Sequence, residues 1–162
     1  ESQTLIFEFP SEENRDLEAI VADPNEPLIW IFCKVCKWDE GPEQTSVFKF
    51  DLTNMDYDSQ PEKLIEKKQL EGFLPDQELD KLKIQPSAAA FHPLTREYYL
   101  LSSTGKWLMT LNRSLSPISI HLLNPALFKQ PEGITFAPDG TLYISNEAAD
   151  GRANILIFKY TP

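Results

Sequence analysis

The chain lacks any apolar run near the ~20 residues that a membrane-spanning helix needs, so no transmembrane segment is expected. It also lacks clusters of lysine and arginine: 15 basic residues stand against 25 acidic ones, for a formal net charge of -10. That balance argues against a nucleic-acid partner and suits solubility or attraction of cations and cationic ligands. Cysteine is scarce. Cys33 and Cys36 form a single CxxC in "IFCKVCKW", and a structural zinc site usually needs two such pairs. A redox CxxC sits at a helix start, whereas this one follows the β-rich run "LIWIF"; incidental thiols or a local disulfide are expected. Neither an initiator Met nor a basic-then-apolar leader stands in "ESQTLIFEFP". The chain therefore reads as a processed product, a piece of something longer, or one cut at a domain boundary.

Catalytic signatures are equally sparse. Ser87 has no G-x-S-x-G elbow around it, and no G-x-x-x-x-G-K phosphate loop occurs. His92, in the turn "FHPL", reads as a surface turn residue, and His121, in "ISIHLL", as a half-buried strand residue.

What is present is a repeat. The segments 16–34, 85–103 and 130–147 share one order: a polar residue, a small or apolar run, a turn containing proline, then a second β-rich run. Aligning the turn prolines Pro24, Pro93 and Pro138 makes Glu18, Ser87 and Glu132 equivalent. It also makes Asp16, Gln85 and Gln130 equivalent two residues earlier. A third strand follows in each unit, at 45–52, 106–113 and 153–160, and "TLIFEF" (4–9) reads as the last strand of a preceding unit. The interval from Ser87 to Glu132 is 45 residues, the period of a β-propeller blade. The longer interval from Glu18 to Ser87 carries a charged insertion, 53–84, with short helices expected at 61–70 and 76–83.

The fold expected is thus all-β: one propeller-type domain over residues 1–162, about three blades of antiparallel strands, partial and open. Three blades do not close a ring. A further propeller half, or self-association through the open edge, is the partner this predicts.

"PSAAAFHPLTREYYLLSS", "LFKQPEGITFAPDGTLYIS" and the Asp-x-Glu of "RDLEAIV" together resemble the SdiA-regulated domain family, in particular its exported Bacteroidetes-type members. The chain is similar to the C-terminal portion of such proteins. The resemblance implies a β-propeller related in shape to calcium-dependent lactonases and phytase-like proteins, and an exported location, periplasmic or cell-surface and lipid-anchored. It departs at Ala19, where the family pattern has glycine, and at Ser87, which stands in place of an acidic residue. The family's biochemical role is undefined.

The innermost strand of each blade lines a propeller's central channel. If Glu18, Ser87 and Glu132 face that axis, they converge on one mouth, with Asp16, Gln85 and Gln130 beside them. Carboxylate, amide and hydroxyl oxygens suit a hard cation such as calcium. Glu18, Glu132, Asp16, Asn146 and Glu147 are therefore the candidate metal ligands, and Gln130, Ser87 and Trp38 the candidate ligand-binding residues. The competing expectation is structural: a residue recurring in every blade could bond backbone N–H groups and fix the blade-to-blade join. Trp30 and Trp107 are expected to pack between blades. The functional expectation is an exported domain that binds a small molecule or a protein and holds a divalent cation. The alternative is a calcium-dependent hydrolase of lactonase or phosphoesterase type.

Overall fold

The computed structural model describes residues 4–13, 15–148 and 151–161. Three antiparallel sheets follow one another along the chain. The first holds β1 (Arg15–Ala22), β2 (Leu28–Cys36) and β3 (Gln44–Asp51), with β4 (Asp56–Tyr57) and β5 (Lys63–Glu66) both pairing with β3. The second runs β6 (Ala88–Phe91), β7 (Tyr98–Ser102), β8 (Trp107–Leu111) and β9 (Pro117–Leu122). The third holds β10 (Pro131–Phe136), β11 (Leu142–Asn146) and β12 (Asn154–Phe158). The three repeat units are thus three blades, and their first strands β1, β6 and β10 lie side by side.

Period-2 alternation gives each sheet two apolar faces. On blade 1, Ala19, Val21, Trp30, Phe32 and Val47 meet Tyr98, Leu100, Trp107 and Met109 of blade 2. The other face of blade 2, with Ala88 and Leu101, meets Ile144 of blade 3. Trp30 and Trp107 are buried between blades 1 and 2, as their strand positions require.

The connections between blades fill the outer part of each join. Leu70, Leu79, Leu82 and Ile84 are buried between blades 1 and 2, and Leu123 and Phe128 between blades 2 and 3. The insertion is therefore a packed wedge. Its expected helix at 61–70 is instead β5 followed by a 3-10 turn at Lys67–Leu70, because Ile65 is fully buried opposite Thr45 of β3. The expected helix at 76–83 is one turn, α1 (Asp76–Leu79).

One further expectation is corrected. Residues 4–9 form no strand; Phe7 and Phe9 pack edge-on against Phe50 and Phe48 of β3, and Tyr57 donates its hydroxyl to the Phe7 carbonyl. The fourth strand of blade 2, β9, was not legible, since proline opens it and its apolar alternation is poor. Cys33 and Cys36 are joined in a disulfide under this aromatic layer.

Candidate functional site at the inner-strand starts

The equivalent residues Glu18 and Glu132 share a backbone irregularity. Pairing of β1 with β2 skips Glu18, and pairing of β10 with β11 skips Glu132, so each is the extra residue of a bulge. A bulge re-aims a side chain and recurs beside functional sites and at strand ends. In blade 2 the Ser87 N–H bonds the Leu101 carbonyl, just before Ala88 pairs with the same residue.

The three side chains then diverge. Glu18 accepts a hydrogen bond from Lys34 Nζ at 2.7 Å, in an ion pair with both side chains about 30% exposed. Lys34 is held above its ordinary pKa first by that bond and further by the carboxylates of Asp16 and Glu132. One ammonium is therefore in the field of carboxylates from blades 1 and 3. Glu132 also favours the charged form of Lys106, whose pKa burial nonetheless lowers; Lys106 Nζ donates to the Lys129 carbonyl at 2.6 Å.

Ser87 is buried, and its hydroxyl lies 3.0 Å from the Pro131 carbonyl and 3.3 Å from that of Leu101, while accepting the Ser103 N–H. It stitches blade 2 to the start of blade 3. These partners are all backbone groups, with no base among them. Gln85 contributes its carbonyl, bonded by Ser102 Oγ at 2.6 Å.

At the third blade Gln130 Nε2 donates to Glu147 Oε2 at 2.7 Å, and the Glu147 N–H returns to the Gln130 carbonyl. Asn146 is 3% exposed. Its Nδ2 donates to Asn154 Oδ1 at 2.9 Å and to the Leu127 carbonyl at 3.3 Å. Among the described residues its Oδ1 is buried with no partner, and such an orphan acceptor costs roughly 1–3 kcal/mol. Trp38 is half-buried, with its Nε1 on Gln60 Oε1 at 2.9 Å and its ring against Phe9 and Phe48.

Among the described residues no three His, Cys, Asp or Glu side chains are placed to share one metal ion. A cation would have to draw Glu18 from Lys34 and Glu147 from Gln130, whereas among the described residues Asn146 Oδ1 is a buried acceptor without a partner.

The histidines are placed differently from expectation. His92 is buried, because its Nδ1 caps its own turn by accepting the Leu94 and Thr95 N–H groups. Its ring packs with Tyr99, Phe136 and Tyr160. His121 is exposed on β9, the outermost strand of its sheet.

The opposite end of the blades carries a polar network that sequence reasoning missed. Asp23, in the β1–β2 turn, accepts from the Tyr98 hydroxyl and from Arg113 Nη1. Trp30 Nε1 and Arg113 Nη1 also reach Tyr98 Oη, at 3.1 and 2.8 Å, and Arg113 Nη2 reaches Glu26 at 2.9 Å. Burial alone would raise Asp23, but the Arg113 and Tyr98 bonds outweigh it and leave its pKa below the usual value. Burial, then Asp23, pushes the Tyr98 hydroxyl well up. The partners lie 68, 75 and 87 residues apart, so local pattern held no signal for them.

A family model described as SdiA-regulated matches residues 3–149. Among solved structures the fold is similar to a putative 6-phosphogluconolactonase from Bacteroides uniformis, with a TM-score of 0.58 and 17% identity over 90% of this chain and 37% of that one. It is also similar to Kuenenia stuttgartiensis hydrazine synthase, with a TM-score of 0.57 and 16% identity over 90% and 33%. A chain of a nidogen/laminin complex matches with a TM-score of 0.56 and 13% identity over 90% and 44%. At these identities the likeness shows the β-propeller fold alone. The chain spans between a third and under half of the length of these three. No curated protein matches it.

Proposed function

We propose that this chain, which belongs to the SdiA-regulated family, is a binding domain of β-propeller type whose ligand, a small molecule or a protein segment bearing a cationic group, is received where β1, β6 and β10 begin. The observation that supports this reading is the field at Lys34, where Glu18, Asp16 and Glu132 from two blades all act on one ammonium. A ligand cation entering there would compete with Lys34 for the same carboxylates. The acidic balance of the chain, at -10, favours such a ligand over an anionic one.

A specific observation also favours a cation at this end: the buried, unpartnered Oδ1 of Asn146. On that reading calcium takes Asn146 with Glu147, Glu18 or Glu132, and oxygen donors of this kind suit it. The hydrolase alternative rests on the same cation. The disulfide Cys33–Cys36 supports an exported location, since disulfides persist in oxidising compartments.

The experiment is thermal melting of the chain and of Glu132→Gln with calcium, with chelator, and with a panel of amines and guanidinium compounds. Anything bound only by the folded form raises the melting temperature by mass action. A rise with an organic cation that Glu132→Gln abolishes supports the ligand reading. A rise with calcium alone supports the cation reading and makes lactones and phosphoesters the substrates to test. No rise with any of them overturns both.

A further inference from the structure

A cleft of about 550 Å³ opens between blades 1 and 2 at the end opposite the candidate mouth. Ala22, Pro24 and Asn25 line it from the end of β1 and its turn, and Phe91, Pro93 and Arg96 from the end of β6 and its turn. That volume suits a small organic ligand. Both walls belong to blades joined through their own buried core, so the cleft is formed entirely by residues of this internal join.

The walls are apolar and stiff. Pro24 and Pro93 are the equivalent turn prolines of the repeat, one on each side, and their fixed φ leaves the cleft formed before anything enters it. Phe91 packs on the core of the join. The Tyr98 ring meets it edge-on with centroids 5.4 Å apart, and the Arg113 guanidinium lies 5.4 Å from its centroid.

Arg96 is the charged residue of the cleft, and the backbone accepts strain to hold it there. The blade 2 turn closes when the Arg96 N–H bonds the His92 carbonyl and the His92 N–H bonds the Glu97 carbonyl. The blade 3 turn closes in the same way, with Gly140 bonding Ala137 and Ala137 bonding Thr141. Arg96 therefore stands where blade 3 has Gly140, and both take positive φ, 61° and 84°. Glycine adopts that conformation freely, whereas an arginine is strained in it. Among the described residues Arg96 forms no ion pair, while Arg113 takes up Asp23 and Glu26, which flank Pro24 and Asn25 in the facing turn. Strand alternation puts Glu97 on the blade 3 side with Tyr99, whose ring packs on Phe136.

We propose that this cleft binds a small organic monocarboxylate with a flat apolar body, its carboxylate on Arg96 and Asn25 and its body between Pro24, Pro93 and Phe91. A guanidinium offers a carboxylate two parallel hydrogen bonds, and an amide offers a further donor. The Phe91 ring gives a flat body an aromatic contact. One cation in a chain of net charge -10 offsets one negative charge, so a monoanion fits better than a doubly charged phosphate ester. The inference stands apart from the ligand reading of the mouth, because it concerns the other end of the blades and a ligand of opposite charge.

The test is ligand-detected NMR and calorimetry of the whole chain with phenylacetate, phenyl phosphate and phenethylamine. Phenylacetate is expected to bind at one site, more tightly than either of the others. Arg96→Gln should weaken it by about tenfold or more, and Glu132→Gln should leave it unchanged. Arg96→Gly is expected to melt no lower than the natural chain, since glycine suits the positive φ, yet to lose the ligand; that combination separates a binding role from a structural one. No binding of phenylacetate at about millimolar concentration overturns the proposal, as does full affinity in both Arg96→Gln and Arg96→Gly. Phenethylamine bound as tightly overturns recognition of the carboxylate. Phenyl phosphate bound more tightly overturns the assignment to a monoanion.

Discussion

Asp23 of blade 1 and Tyr98 of blade 2, 75 residues apart, share a buried hydrogen bond that Arg113 and Trp30 complete. The pair bolts the blades together at the end opposite the candidate mouth. Each partner depends on the other: without Tyr98 the Trp30 N–H loses its acceptor, and without Asp23 the Tyr98 hydroxyl loses its acceptor and Arg113 one of its three partners.

Tyr98→Phe is expected to cost about 1–3 kcal/mol, the range for leaving buried polar groups without a partner. Urea denaturation of the two proteins checks this, with ligand-binding behaviour unchanged because the mouth lies at the other end.

The same network sets an acid limit. Asp23 has a folded pKa below its unfolded value, so its contribution is present above the unfolded pKa, near 3.9, and is lost as pH falls through the folded one. Melting temperature followed downward from pH 5 should fall more steeply for the natural chain than for Asp23→Asn, which starts lower.

His92 acts in a higher window. Burial lowers its pKa, and its Nδ1 is needed as an acceptor by Leu94 and Thr95. A histidine with a depressed folded pKa stabilises fully above the unfolded value, near 6.5, and loses that contribution as pH drops through the folded one. Stability should therefore decline on going from pH 7 to pH 5, and His92→Asn should flatten that segment of the profile.

Ser87→Ala and Glu18→Gln separate the two expectations held for the repeated positions. Ser87 is buried and bonded to blade 3, so its loss should cost about 1–3 kcal/mol. Glu18 sits in a partly exposed ion pair, and such pairs contribute under about 1 kcal/mol. Denaturation midpoints measure both; a ligand that senses Glu18→Gln but not Ser87→Ala would place binding at the carboxylates.

Reducing the disulfide should lower stability by about 2 kcal/mol on the chain-entropy model for so short a loop. Denaturation with and without a phosphine reductant reads this, and Cys33→Ser/Cys36→Ser should be insensitive to the reductant.

Much of this architecture was legible locally. Proline-centred turns, alternating apolar strands and the recurrence of Glu18, Ser87 and Glu132 sufficed for three blades, because strand alternation and turn chemistry are short-range properties. The insertion was less legible: the leucines of 76–83 share an apolar spacing that fits a helix, yet Ile65 was claimed by β3 and made its segment a strand. Residues 4–9 look like a strand by composition but form no strand pairing among the described residues, since strand formation needs a neighbour and the aromatic rings of Phe48 and Phe50 offered packing instead.

Among the site residues, the sequence established equivalence and the structure decided role. Position in the repeat made Glu18, Ser87 and Glu132 alike. Only tertiary structure set one against Lys34, buried another in a join and left the third beside Lys106, because a side chain's partners come from strands far away in sequence. The Asp23–Tyr98–Arg113 network and the burial of His92 belong wholly to that second level. Periodicity specifies which face of a strand is apolar; what meets that face depends on how the blades stack.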